Sequence, residues 1–181
     1  MNKKEFATFA AALKTYYPKE NLLPNAQAME LWYRQLEDIP YQLAEIALNK
    51  WVATNKWSPT IADIREQATC VKIGDKPLWS DGWEEVLRAI RKFGSYRETE
   101  ALGTMSEITR EAVNRIGFRN MCLSEDITAD RANFRMIFEQ LAERKQKQNQ
   151  IPTALHQLIE GVQRKGIEHE CKALPAANSK A

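Results

Sequence analysis

Residues able to do chemistry are few in this chain, and the metal-type donors crowd toward its C-terminal end. His169-Glu170-Cys171, with His156 and Cys122, is the one candidate group of zinc donors. Zinc needs thiolate and imidazole ligands converging at suitable spacing, and adjacent donors in the last stretch of a chain meet that demand poorly. No metal is expected. A cysteine nucleophile needs a histidine and an orienting group held around it, yet His156 and His169 both fall in the least ordered part of the pattern. Neither G-x-x-x-x-G-K-[ST] nor G-x-G-x-x-G occurs to cradle a phosphate, and Gly74-Asp75-Lys76 reads as a turn. The expectation is a protein that is not an enzyme and carries no cofactor.

Binding chemistry is better represented. Trp32-Tyr33, Trp51 and Trp57 could stack on single-stranded bases in a basic groove, but they stand at core spacing and are expected to fill a core. Arg110, Asn114, Arg115, Arg119 and Asn120 come nearest to a helix that reads duplex DNA. Arg144, Lys145 and Lys147 could touch phosphates, although a solvated helix end is the simpler reading. Leu155, Leu158, Ile159 and Val162 form an apolar stripe on a helix of about thirteen residues, 153 to 165. A helix that short is marginal alone in water, so it needs a surface, either the second bundle or a partner's groove.

The elements that would position these groups are helices. Asn2 followed three residues later by Glu5 is a capping-box pattern, and Phe6, Phe9, Ala10, Leu13 and Tyr17 share the face that follows until Pro18. Asn25 caps a second helix with Met29, Trp32 and Leu36. Pro40 opens a third, carrying Leu43, Ala44, Ala47, Trp51 and Val52. Ser58, with Pro59 at the first helical position, or Thr60 boxed with Asp63, starts a fourth that ends near Cys70. Lys56, Asp63 and Arg65 need not pack in this scheme, and they form a candidate partner surface.

A linker is expected over 71–78, around Gly74 and Pro77. The second bundle spans 79–147. It contains one helix from Ser80 or Asp81 to Gly94, a second from Ser106 to Gly117, and a long one opened by Thr128 that runs into the polar stretch Glu143 to Gln150. Residues 148–181 are expected to be a flexible tail holding the short amphipathic helix, with Ala173 to Ala181 disordered. The fold class is all-α.

Bulk properties agree with a globular binding protein. The 181 residues are 44% hydrophobic and 28% charged, which suffices for a core without staples. A net charge of +2 permits DNA contact without implying it. Cys70, Cys122 and Cys171 are odd in number and lack a C-x-x-C pattern, as suits a reducing cytosol. No apolar run approaches the ~20 residues of a membrane span.

Taken together, Phe6 to Leu13, Tyr17-Pro18, Trp32-Tyr33, Leu36, Asp38-Ile39-Pro40, Ala44 to Trp51 and Trp57-Ser58-Pro59-Thr60-Ile61-Ala62-Asp63-Ile64-Arg65 resemble the phage loader and inhibitor of the replicative DNA helicase. The resemblance covers roughly residues 1–70. It implies a compact N-terminal helical domain and a more flexible C-terminal part carrying the helicase contact. It further implies a protein without ATPase activity that binds a DnaB-type hexamer, holds it inactive, and delivers it through a phage initiator to the origin in the bacterial cytoplasm. The chain departs from the family in its second folded region, Trp79 to Ala142. Leu155, Leu158, Ile159 and Val162 are the candidate helicase contact. The alternative is a DNA-binding replication or regulatory protein using the second region, with Arg110, Asn114, Arg115, Arg119, Arg144, Lys145 and Lys147 as contacts and a membrane excluded in either case.

Overall fold

The computed structural model describes the backbone of residues 1–173 and the side chains of residues 1–164. The protein is all-α, with ten α-helices and no strand among the described residues. They divide into two compact units. One comprises Met1–Ala68 together with the chain from Gln150 onward, and the other comprises Thr69–Asn149. The chain passes between units inside the fourth helix and at the end of the ninth, not in an irregular linker.

In the N-terminal unit, α1 (Lys3–Tyr16) starts on the anticipated box: the Asn2 side chain accepts from the Lys4 and Glu5 N–H groups at 2.9 Å, and Glu5 accepts from the Asn2 N–H at 2.7 Å. Orphan donors of the first turn are thereby satisfied. The Met1 ammonium donates to the Ile39 carbonyl at 2.7 Å and to the Glu37 carbonyl, joining the start of α1 to the end of α2 (Ala26–Leu36). α2 is capped by Asn25, whose side chain accepts from the Ala28 N–H at 2.8 Å. α3 (Tyr41–Thr54) follows Pro40, and α4 (Ile61–Ile73) follows the turn after Trp57.

Phe6, Phe9, Leu13, Leu36, Leu48 and Ile64 meet in the core of this unit. Full burial of each such side chain contributes about 1.5–3 kcal/mol. Leu23 holds φ +53°, an unfavourable left-handed backbone for a residue with a Cβ, while its side chain is buried in the same core. Burial offsets the backbone cost.

Three expectations here are corrected. α4 uses the later start: the Thr60 N–H donates to Asp63 at 2.8 Å and the Asp63 N–H to the Thr60 hydroxyl at 3.3 Å, while Pro59 is buried ahead of the helix. The same helix runs through Ile73, so only residues 74–78 separate it from the next. Trp57 does not fill the core; it is 78% exposed. Trp51 remains half-buried because its indole N–H is spent on the Trp57 carbonyl, at 2.8 Å.

The second unit holds α5 (Trp79–Phe93), α6 (Glu98–Gly103), α7 (Glu107–Ile116), α8 (Phe118–Leu123) and α9 (Ile127–Gln150). Trp83, Val86, Phe118, Phe134 and Phe138 form its core. The rings of Trp83 and Phe134 lie 5.4 Å apart and those of Phe134 and Phe138 5.5 Å apart, distances at which aromatic pairs attract. Gly82 is required by close approach, since a Cβ there would stand 2.6 Å from the Phe138 ring.

α5 and α7 end as expected on Gly94 and Gly117, at φ +62° and +95°. Two elements were not foreseen, a 3-10 turn at Gly94–Tyr96 and α6, both in the segment expected to be a short link. The bend around Met121 is itself the helix α8. α9 is capped by Asp126, which accepts from the Ala129 N–H at 2.9 Å, rather than opened at Thr128. Ser106 does not cap α7 with its side chain; its hydroxyl pairs with buried Thr109 at 2.7 Å, and its N–H goes to Glu85 of α5 at 2.9 Å.

α10 (Thr153–Ala173) outruns the anticipated 153 to 165, continuing through Gly161 and Gly166. Residues 174–181, including most of the stretch expected to be disordered, lie outside the described residues.

Candidate partner surfaces

The centre of the N-terminal unit's polar architecture is Arg65, expected to be an exposed partner residue and in fact 7% exposed. Its guanidinium binds Asp38 bidentately, Nη1 to one carboxylate oxygen at 2.7 Å and Nη2 to the other at 2.9 Å. Nη1 also donates to the Gln35 carbonyl at 2.6 Å, and Nε donates to the Gln150 carbonyl. The Thr153 N–H reaches the same Asp38 carboxylate at 3.3 Å. One fork therefore ties the end of α2 to the first turns of α4 and to the start of α10.

Arginine suits this position because its planar donors meet several acceptors at fixed angles. Burial pushes the Asp38 carboxyl up, but the hydrogen bonds and charge of Arg65, with the Thr153 N–H, outweigh it and hold the group below the ordinary aspartate range. Sequence reasoning missed the pair. Asp38 and Arg65 are 27 positions apart, so no helical period relates them.

Of the other residues in that expected surface, Lys56 is exposed and Asp63 is half-buried in its box with Thr60. Beside Lys56 stands Trp57, which the sequence had assigned to the core. The stripe on α10 is open: Leu155, Leu158, Ile159 and Val162 are all exposed, Leu158 at 67% and Val162 at 72%. Four aliphatic side chains at i, i+3, i+4 and i+7 are the pattern of a helix that lies in a hydrophobic groove.

In the second unit the candidate nucleic-acid contacts are spread over α7, α8 and α9. Arg110 and Asn114 are exposed on α7, and Arg119 and Asn120 on α8, where Asn120 donates to the Ile116 carbonyl at 3.2 Å. Arg115 pairs with Glu111 at 2.8 Å, Lys147 with Glu143 at 2.7 Å, and Lys145 with Glu107. The lysine partners hold Glu107 and Glu143 below the usual carboxylate range, chiefly by hydrogen bonding. Carboxylates so placed weaken the positive field that phosphate binding needs. Arg144 is exposed on α9.

An open groove of about 640 Å³ lies between the start of α5 and α9, lined by Leu78, Trp79, Arg135, Met136 and Glu139 among others. The Trp79 ring is flanked by the guanidiniums of Arg131 and Arg135, 5.1 and 5.2 Å from its centre. Those cations serve the indole face.

Of the candidate metal group, His169 and Cys171 have side chains outside those described. Burial pushes the Cys122 thiol up, with the charge of Glu98 adding to it. Neither effect favours a thiolate. Among the described residues no helix is long and apolar enough to cross a membrane.

The class these features define is an all-α, two-unit protein whose N-terminal unit carries exposed apolar anchors on a bundle clasped by a buried ion pair. Residues 1–65 match the family model for the N-terminal domain of the phage helicase loader and inhibitor family. The match ends on Arg65 itself, so α1 to α3 and the first turns of α4 carry the likeness. Comparison with curated proteins and with solved structures gave no match. By this N-terminal domain the chain is associated with phage replication and a replicative helicase.

Proposed function

We propose that the protein binds the hexameric DnaB-type replicative helicase of its host, holds it inactive, and delivers it to a phage origin through an initiator, without hydrolysing ATP itself. The observation that carries this reading is the family match over residues 1–65. The exposed aliphatic stripe of α10 supports it by supplying a surface of the kind that seats in a partner's groove. The mechanism is mass action. A protein that binds one ring conformation more tightly than another raises that conformation's population by its differential affinity, and it inhibits for as long as the favoured state cannot unwind. Release at the origin restores unwinding.

Size-exclusion chromatography with light scattering, on this protein mixed with the host helicase with and without ATP, tests the reading. A co-eluting complex is expected, and separate elution under both conditions refutes it. Leu158→Asp combined with Ile159→Asp is expected to weaken the complex while leaving the circular dichroism of the protein unchanged. Undiminished binding by that variant removes α10 from the interface.

A further inference from the structure

Trp57 is the largest exposed side chain on the N-terminal unit, and nothing in the packing of that unit asks for it there. Exposed tryptophans on mobile loops are common enough to mean little, but this loop is stiff. The Trp57 carbonyl accepts the Trp51 indole N–H at 2.8 Å, and the Asn55 N–H returns to the Trp51 carbonyl at 2.8 Å. The Ser58 hydroxyl donates to Glu20, and buried Pro59 leads directly into the Thr60–Asp63 box. The indole is thus held out from a loop fixed on both sides.

Its surroundings are basic. The Tyr16 hydroxyl donates to Asn49 at 3.1 Å, which brings the C-terminal ends of α1 and α3 together beside this loop. Lys14, Lys19, Lys50 and Lys56 are exposed on these segments, and Tyr16 is itself 48% exposed. The carboxylate on the same segments, Glu20, is engaged by Ser58. Lysines at helix C-termini complement the helix dipoles, which accounts for their presence there. The dipoles do not account for the tryptophan.

We infer that this pole is a docking surface for a protein offering an apolar slot rimmed by carboxylates, into which the Trp57 indole inserts while the lysines meet the rim. A rigid, protruding indole loses little conformational entropy on binding, and tryptophan is enriched among residues that dominate interfaces. The complementary charge sets partner choice and association rate. A single-stranded nucleic acid is the weaker fit, because strand binding relies on a groove with successive stacking platforms, whereas this loop offers one protruding indole.

The inference rests on the proposed function in one respect. A loader must hold two proteins at once, and the aliphatic stripe of α10 is chemically unlike this aromatic and basic pole. The second protein, the initiator, is therefore the probe.

The experiment uses the full chain in three forms, wild type, Trp57→Ala and Lys56→Glu, each titrated by biolayer interferometry against purified initiator, purified host helicase and a labelled single-stranded oligonucleotide. Trp57→Phe serves as the conservative control, and thermal melting checks each variant's fold. The expected result is initiator binding by the wild type that falls at least tenfold in Trp57→Ala, recovers in part in Trp57→Phe, and becomes less salt-sensitive in Lys56→Glu. Helicase binding is expected to stay the same throughout. Initiator binding indifferent to Trp57, or an oligonucleotide as the only ligand whose binding Trp57→Ala abolishes, overturns the inference. Wild-type protein that binds initiator through Trp57 but does not bind helicase overturns the loader reading and leaves the docking surface standing.

Discussion

Replacing Arg65 with alanine removes a side chain that joins α2, α4 and the start of α10 through one group. Three acceptors lose their donor at once, namely the Asp38 carboxylate and the carbonyls of Gln35 and Gln150. Breaking a buried pair by deleting one partner costs about 3–5 kcal/mol, because the remaining charge stays desolvated. Asp38 keeps 22% of its side-chain surface, so water can reach it. The expected loss is therefore at the lower end, about 3 kcal/mol.

For a unit of this size that corresponds to a fall of roughly 10–20 °C in melting midpoint. Arg65→Lys retains the charge but not the fork and should lose about half as much. Asp38→Asn keeps an acceptor for the Thr153 N–H while removing the charge, and should lose about 1–2 kcal/mol. Urea denaturation followed by circular dichroism and tryptophan fluorescence measures these changes. A double-mutant cycle between Arg65→Met and Asp38→Asn isolates the pair. A loss below about 1 kcal/mol for Arg65→Ala, or none for Arg65→Lys, refutes the view that the fork holds this unit together.

The same pair sets an acid limit. Because the folded carboxyl of Asp38 lies below its ordinary value of 3.8, the unfolded chain binds more protons near and below that pH. The pair's contribution is fully present above the unfolded value and is lost as pH falls through the lower, folded one. Melting curves from about pH 7 down to about pH 3 should show an acid loss of stability that is shallower in Asp38→Asn than in the wild type. Gly82→Ala should destabilise the second unit by about 1–3 kcal/mol, since the new Cβ would stand 2.6 Å from the Phe138 ring and 2.9 Å from the Thr109 hydroxyl. The two units can unfold separately, so this variant also identifies which urea transition belongs to which unit.

Sequence alone determined what depends on short range. The Asn2–Glu5 box, the Asn25 cap, the stop at Pro18 and the glycine ends at Gly94 and Gly117 are each decided within about four residues, the distance over which backbone donors and acceptors of a helix end find partners. Helical periodicity likewise placed Phe6, Leu13, Val86, Phe134 and Phe138 in their cores. The family resemblance lay in the same stretch, residues 1–65, where these local patterns are densest.

Tertiary structure decided what depends on distant pairing. Arg65 looked solvent-facing because its partner Asp38 belongs to another segment and its other acceptors are backbone carbonyls, which no sequence pattern marks. Trp57 looked like core because residue type predicts burial only on average. Whether an indole faces inward at a turn depends on how α3 and α4 cross, and here the Trp51 N–H pins the Trp57 backbone so that its ring points out. The exposure of Leu158 and Val162 on α10 was settled in the same way, by the absence of a covering surface within the described chain. Local rules wrote the helices; contacts across tens of residues decided which side chains were left for partners.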